Sequence, residues 1–140
     1  MTANHADDRS SSPDPLISVV IPAYNEEESL PALMPKLRIV LESMTEDYRV
    51  LVCDDGSSDH TREQLLSYAK EMQLEILDHS INRGLGETSR DLFERAAEIA
   101  EKDDAIIRLD CDDTHEPEFI PTLIEKLRSG YDVVIASRFE

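Results

Sequence analysis

The sequence of 140 residues has no tryptophan, only two cysteines and four glycines, and few basic residues. Two cysteines, Cys53 and Cys111, do not make a disulfide framework, so a reducing cytoplasm is the expected compartment. No apolar run approaches the roughly 18 residues of a membrane-spanning helix. Residues 1–14 also lack the basic start and apolar stretch of a secretory signal. We therefore expect a cytoplasmic chain that does not span a membrane.

The scarcity of basic residues excludes further classes of protein. The chain has 14 Lys and Arg against 31 Asp and Glu, which gives a formal net charge of −17. Nucleic acid is not an expected partner, because binding a polyphosphate backbone needs a basic face. An anionic membrane surface is equally unsuited as the main docking site of this segment. An acidic protein can still bind an anionic ligand when a divalent cation bridges the two.

The length and the 40% hydrophobic content fit one domain with a buried core. Polar residues 1–15 are expected to be a disordered tail, and residues 16–140 a single α/β domain. Pro35 falls inside the first helical pattern and predicts a kink or a late start of that helix. The apolar periodicity predicts strands at 17–21, 49–53, 74–77, 105–109 and 131–136, and helices at 27–44, 60–72, 85–101 and 117–128.

This alternation predicts a mainly parallel sheet of about five strands with helices on both faces. Ligands of such sheets bind beyond the carboxyl ends of the strands. The fourth strand is followed there by Asp110 and Asp112, two carboxylates that repel each other unless a cation lies between them. A hard ion such as Mg²⁺ or Mn²⁺ suits them and completes its coordination with phosphate oxygens and water. The alternative is that Asp112 and Asp113 only cap the next helix.

The first and second predicted strands end in further polar clusters. Asp54 and Asp55 follow the second strand, and one of them could accept a hydrogen bond from a nucleobase. Tyr24 offers a flat face to a base and Glu26 offers another acceptor. The structural alternatives are an Asx-type turn at the two aspartates and a rim position for Tyr24.

Glycines at the start of the third helix, in residues 82–86, would let backbone N–H groups approach an anion. Arg83 and Arg138 lie near the acidic edge, and each could bind phosphate or neutralise a neighbouring aspartate. Cys53 and Cys111 end two strands, and we interpret both as small buried hydrophobic residues.

Together, these clusters resemble family 2 glycosyltransferases of the GT-A fold. The polyprenol-phosphate mannosyl- and glucosyltransferases, the dolichol-phosphate mannose synthase group, are the most similar. The likeness extends from residue 17 to residue 140, with the motifs in the family's order and at its spacing. The matching stretches are residues 19–26, 54–59, 82–86, 110–112 with Pro117, and 137–139.

The resemblance implies a Rossmann-like, nucleotide-sugar-binding GT-A half and a function. Such an enzyme transfers a hexose, with inversion, from a GDP-mannose or UDP-glucose type of donor to a polyprenol phosphate or a glycan acceptor. Asp110 and Asp112 would be the catalytic pair that holds the divalent metal on the donor's diphosphate. The implied nucleotide-sugar-binding residues are Pro22, Tyr24, Glu26, Cys53 (through its backbone), Asp54, Asp55, Arg83, Cys111, Thr114 and Arg138.

The chain departs from the family pattern at two positions and in length. Thr114 stands where the family often has a metal-binding glutamine, and Asp113 replaces an apolar residue. The family's catalytic domain is much longer, so we expect a donor-binding part, with membrane association through a further C-terminal part. One alternative is a catalytically incomplete nucleotide-binding module. A remoter one is a haloacid-dehalogenase-type phosphatase, whose Asp-x-Asp-x-Thr motif residues 110–114 fit.

Overall fold

A computed structural model of the chain describes residues 15–101, 103–111 and 116–131. They form alternating strands and helices, and a 3₁₀ turn at Pro117–Phe119 precedes the last helix. The strands are β1 (Leu16–Ala23), β2 (Asp47–Asp55), β3 (Leu74–His79) and β4 (Ala105–Arg108), and the helices are α1 (Leu30–Glu42), α2 (Thr61–Tyr68), α3 (Leu85–Ile99) and α4 (Ile120–Arg128).

The four strands form one parallel sheet in the order β3-β2-β1-β4. The predicted α/β class and parallel sheet are confirmed for these strands. The predicted fifth strand, 131–136, lies outside the described residues except for Tyr131. The chain adds β2 and β3 on one side of β1 and then returns to place β4 on the other side. The order therefore reverses between β1 and β4, which is where open α/β sheets commonly bind ligands.

β1 lies between two neighbours, and all eight of its residues are buried. Side chains of a strand alternate between the two faces of its sheet. Ile17, Val19 and Ile21 pack on the face covered by α1, α2 and α4. Val20 instead packs with Leu51 of β2 and with Leu92 and Ala96 of α3 on the other face. Helices thus cover both faces, as the sequence predicts.

The helix ends differ from the predictions for local reasons. α1 begins at Leu30 rather than at residue 27 and continues through Pro35, so this proline does not delay the helix. α2 ends at Tyr68 rather than at residue 72. The carbonyl of Gln73 already accepts the N–H of Val50 at 2.8 Å, so the chain must leave the helix early to reach β3. Among the described residues, no helix is long and apolar enough to cross a membrane.

Candidate functional site

The loop after β1 is fastened to the loop after β2 at the carboxyl edge of the sheet. Asn25 has a φ of 52°, a left-handed conformation that is uncommon outside glycine. Its N–H donates to Ser57 Oγ at 2.9 Å, and its Oδ1 accepts the N–H of Ser58 at 2.8 Å. These two bonds between loops hold a backbone conformation that the sequence alone would not favour.

The next residues of the same loop are held by the first residue of α2 and by Asp59, which precedes that helix. The N–H of Glu26 donates to Thr61 Oγ1 at 2.8 Å, and the N–H of Glu27 donates to Asp59 Oδ2 at 3.3 Å. Asp59 also accepts the N–H of Thr61 at 2.9 Å, which is the local structural role expected of this residue type before a helix. The loop is therefore fixed in place before any ligand arrives.

Three predicted site residues lie on or beside this fixed loop. Pro22 is buried in β1 and pairs in register with Cys53 of β2. Tyr24 is 48% exposed, and Glu26 is half-buried. The aromatic ring and the carboxylate are therefore accessible at the carboxyl end of β1, next to the point where the strand order reverses.

Asp54 and Asp55 are adjacent in sequence, but the alternation along β2 sends their side chains to opposite faces of the sheet. Asp54 is buried, and its Oδ1 accepts the N–H of Ser57 at 3.1 Å, as in an Asx-type turn. Asp55 is buried toward the side of α3. The two aspartates therefore do not form one acidic pair.

The carboxylate of Asp55 is occupied by partners within the protein. Its Oδ1 accepts the N–H of Arg83 at 2.8 Å and lies 2.7 Å from His79 Nδ1, while Oδ2 accepts the N–H of Gly84 at 2.9 Å. The sequence predicts that amides of this loop approach an anion, and in the structure the amides of Arg83 and Gly84 bind the carboxylate of Asp55. Burial by itself would raise the pKa of Asp55, but the hydrogen bonds from His79, Arg83 and Gly84 outweigh it and lower that pKa.

His79 and Asp91 belong to this cluster but were missed by sequence analysis. His79 is the last residue of β3, and its Nε2 lies 2.7 Å from Asp91 Oδ2 of α3. The hydrogen bond with Asp55 raises the pKa of His79 more than burial lowers it, and Asp91 adds to the rise. The sequence feature that could have identified His79 was a histidine shortly after the apolar run of the third strand. It was missed because the third strand was predicted to end at residue 77.

Cys53 lies beneath this cluster without being a reactive thiol. Its Sγ is 3.9 Å from Nδ1 and 3.8 Å from Nε2 of His79, so it lies nearly equidistant from the two nitrogens. Burial, followed by the charges of Asp55 and Asp91, raises the pKa of Cys53 to about 12. A neutral buried thiol is inert. Neither Cys53 nor Cys111 forms a disulfide, and both are buried, which confirms their interpretation as small core residues.

Gly56 brings the end of β2 against the loop after β3. It has a φ of +75°, and a Cβ added to it would lie 2.5 Å from the backbone nitrogen of Asn82 and 2.6 Å from the carbonyl carbon of Ile81. Asn82 Nδ2 also donates to the carbonyl of Asp55 at 3.2 Å. The absence of a side chain at this position lets the loop that carries Arg83 approach the sheet edge.

Asp110 follows β4 at the same edge and is half-buried. Arg108 Nη2 donates to its Oδ1 at 3.2 Å, an ion pair that sequence analysis did not anticipate. Cys111 packs into the core on the side of α1. The predicted residues Asp112, Thr114 and Arg138 lie outside the described residues.

The donor chemistry of Asp110 fits a hard divalent cation, because a partly exposed carboxylate is the ligand that such ions prefer. Within residues 15–101, 103–111 and 116–131, no group of three or more His, Cys, Asp or Glu side chains is arranged so that it could hold a metal ion. Arg108 would share Asp110 with any cation. The second predicted ligand, Asp112, falls in the stretch outside the described residues.

A shallow pocket lies at the opposite edge, near the amino ends of β2 and β3. Among its lining residues, Tyr48 donates its hydroxyl hydrogen to Glu42 at 3.2 Å and accepts the N–H of Gln73 at 3.4 Å. These polar groups join the end of α1 to the turn before β3, so they have a structural role.

The family model described as glycosyl transferase family 2 matches residues 18–140. The chain belongs to glycosyl transferase family 2. Curated relatives include the undecaprenyl-phosphate 4-deoxy-4-formamido-L-arabinose transferases of Photorhabdus laumondii, 40% identical over 118 residues, and of Yersinia enterocolitica, 39% identical over 118 residues. Each match covers 84% of this chain and 35% of the relative. The chain thus spans about a third of the length of these curated relatives.

Solved structures agree with the fold of this family 2 chain. TarS of S. aureus superposes with a TM-score of 0.63 and 21% identity, over 89% of this chain and 39% of that chain. The mannosyltransferase PcManGT of Pyrobaculum calidifontis, solved with GDP-Man and Mn²⁺, superposes with a TM-score of 0.54 and 18% identity, over 77% of this chain and 33% of that chain. The resemblance to family 2 and the GT-A fold is confirmed, and the phosphatase alternative is set aside.

Proposed function

We propose that this family 2 chain is the donor-binding part of a glycosyltransferase. The enzyme would transfer a hexose from a nucleotide-diphosphate sugar of the GDP-mannose or UDP-glucose type to a polyprenol phosphate or a glycan acceptor. The main supporting observation is the fixed loop after β1, which places Tyr24 and Glu26 where the strand order reverses. Asp110 follows β4, the strand next to β1 at that point. Relatives named as undecaprenyl-phosphate sugar transferases support the acceptor class.

In this proposal, the nucleotide lies across the carboxyl ends of β1 and β2. The exposed ring of Tyr24 stacks on the base, and Glu26 accepts a hydrogen bond from the nucleoside. Backbone groups of Pro22 and Cys53 line the bottom of this nucleotide site, because the side chains of both residues are buried. Asp54 and Asp55 then act mainly by stabilising the loops after β2 and β3, since their buried carboxylates accept hydrogen bonds from the backbone of those loops.

The diphosphate would lie over the carboxyl ends of β1 and β4, and the long side chain of Arg83 would extend toward it from the loop that Gly56 brings against the end of β2. Asp110 and Asp112 would hold Mg²⁺ or Mn²⁺ there, with Thr114 and the backbone of Cys111 nearby. When bound, such an ion acts as a Lewis acid and neutralises the charge on the leaving nucleoside diphosphate. Arg83 and Arg138 supply positive charge to the phosphates, which the net charge of −17 makes necessary.

The transfer is a substitution at the anomeric carbon of the sugar. An oxygen of the acceptor forms the new bond to that carbon, and the bond from the carbon to the diphosphate oxygen breaks, which gives inversion. A polyprenol phosphate is already ionised near neutral pH, so that acceptor needs no general base from the protein. We place the reaction in the cytoplasm, at the membrane face where a polyprenol headgroup is exposed.

Calorimetric titration with GDP and with UDP, each with and without Mn²⁺, tests this proposal. We expect metal-dependent binding of one nucleotide and at least about tenfold weaker binding in Asp112→Ala, since a charge-assisted contact contributes about 1.5–3 kcal/mol. Asp103→Asn is the matched control, because Asp103 is an exposed carboxylate before β4, at the amino edge of the sheet. It should bind like wild type.

Nucleotide binding and sugar transfer are tested separately, because the chain spans about a third of the length of its curated relatives. Nucleotide binding without transfer to polyprenol phosphate would identify the isolated chain as an incomplete module. Absence of binding to either nucleotide, both in this chain and in one extended to the length of its relatives, would overturn the proposal.

A further inference from the structure

A buried imidazole lies between two carboxylates beside the proposed donor site. His79 Nδ1 is 2.7 Å from Asp55 Oδ1, and its Nε2 is 2.7 Å from Asp91 Oδ2. The side chains of His79 and Asp55 are each 5% exposed, whereas that of Asp91 is 30% exposed. The contacts continue from Asp55 to the N–H groups of Arg83 and Gly84.

These distances require both ring nitrogens to donate when both carboxylates are ionised. A neutral imidazole has one N–H and one acceptor nitrogen, so it can satisfy only one of the two carboxylates. The imidazolium form satisfies both with charge-assisted hydrogen bonds. A single protonation therefore determines whether the imidazole can bond at once to Asp55 of β2 and to Asp91 of α3.

We propose that His79 is a positioning residue. As an imidazolium, it holds the Asp55 carboxylate and, through it, fixes residues 82–84 so that Arg83 is presented to the diphosphate of the donor. The role of Arg83 rests on the proposed function, whereas the ordering of residues 82–84 does not. His79 touches no substrate in this account and acts through Asp55 alone.

The charged groups around His79 set the direction of its pH dependence. β2 contributes Asp55 and the neutral thiol of Cys53, α3 contributes Asp91, and the loop contributes the cation of Arg83. On its own strand, Asp78 is paired with Arg62. Two carboxylates therefore face the ring directly, and the more distant Arg83 opposes them only in part.

The hydrogen bonds that His79 donates to Asp55 and Asp91 raise the pKa of His79 above its usual value. A raised pKa means that the stabilisation is fully present below the unfolded value of about 6.5 and is lost as pH rises through the folded pKa. On deprotonation, the partly exposed Asp91 is the partner that can turn to water, and Asp55 keeps only a neutral donor from the ring. The loop should then loosen as pH rises through the folded pKa of His79.

Amide hydrogen exchange of Arg83 and Gly84 in the nucleotide-free chain, followed by NMR across pH, tests the proposal directly. After correction for intrinsic rates, wild-type protection should fall by about tenfold as the His79 ring, observed in the same samples, deprotonates. His79→Leu should lose that protection at every pH. His79→Asn places an amide N–H where Nδ1 was, so it should keep most of the protection without the pH-dependent fall.

Asp91→Asn is the control for charge, because it replaces one of the two carboxylates that contact the His79 ring with a neutral amide of similar shape. The fall in protection should then occur at a lower pH than in wild type. Wild-type protection in His79→Leu, or an unchanged pH-dependent fall in His79→Asn, would overturn the positioning role.

The nucleotide is tested separately in the same variants. Nucleotide affinity should weaken in parallel with loop protection, by several-fold between the two protonation states of His79. If the loop responds as expected and no nucleotide binds at any pH, either to this chain or to one extended to the length of its relatives, the positioning role stands and the proposed function fails. If nucleotide binds equally well in wild type and His79→Leu, the presentation of Arg83 by His79 is wrong.

Discussion

Gly56→Ala should destabilise the chain by about 3 kcal/mol and lower its melting temperature by about 10 °C. The added Cβ would lie 2.5 Å from the nitrogen of Asn82, a backbone atom that cannot rotate away. The φ of +75° adds strain for any residue with a side chain. Relief requires the loop after β3 to move off the sheet edge, so nucleotide binding should fall with stability.

Gly86→Ala is the matched control for this substitution. A Cβ at Gly86 meets nothing within 4 Å, and the residue lies in the first turn of α3. Alanine is favoured over glycine in helices by up to about 1 kcal/mol, so this variant should be as stable as wild type or slightly more stable. Thermal unfolding followed by circular dichroism distinguishes the two. Equal melting temperatures for Gly56→Ala and wild type would contradict the close approach of Gly56 to the backbone of Asn82.

Asp55→Asn should destabilise the chain by about 3 kcal/mol near pH 6, because a buried carboxylate with charged and backbone donors is replaced by a neutral amide. Its NH₂ group cannot accept from His79, Arg83 or Gly84, so at least one donor loses its partner. The imidazolium of His79 also loses half of its compensating charge. Denaturant unfolding at equilibrium measures the difference.

Two checks make the Asp55 result specific. Asp78→Asn removes a neighbouring carboxylate that is 44% exposed and paired with Arg62, and it should change stability by less than about 1 kcal/mol. The pKa of Asp55 is lowered in the fold, so its contribution is present above the unfolded value of about 3.9. It is lost as pH falls through the folded pKa. Wild type and Asp55→Asn should therefore converge in acid, and a constant difference would contradict this account.

The order and type of the elements follow from the sequence because buried parallel strands are nearly continuous apolar runs. β1 is a strand of this kind, and β4 is a shorter apolar run that ends in the exposed Arg108; the predicted positions of both agree closely with the structure. β3 is paired on one side only within the described sheet, is half-buried, and ends in Asp78 and His79. A polar end of that kind looks like a loop in the sequence, so the histidine was not placed at the sheet edge.

The site was predictable as a set of residues but not as a set of contacts. Asp54 and Asp55 are adjacent in the sequence, yet the pleat separates them, and partners distant in sequence occupy Asp55. Gly56 is recognisable as a turn glycine, whereas its approach to Asn82 depends on tertiary packing. Strand order is likewise a property of the whole sheet, so the position of the reversal between β1 and β4 had to be observed.

An NMR map of backbone amide shifts during titration with UDP and GDP in the presence of Mg²⁺ would show directly where on the sheet the nucleotide binds. We expect shifts clustered at the carboxyl edge, in residues 23–26, 53–57, 82–84 and 110–111. Shifts confined to the opposite edge, in the pocket that contains Tyr48 and Gln73, would contradict it. Such a result would place the nucleotide away from every motif that links this chain to its family.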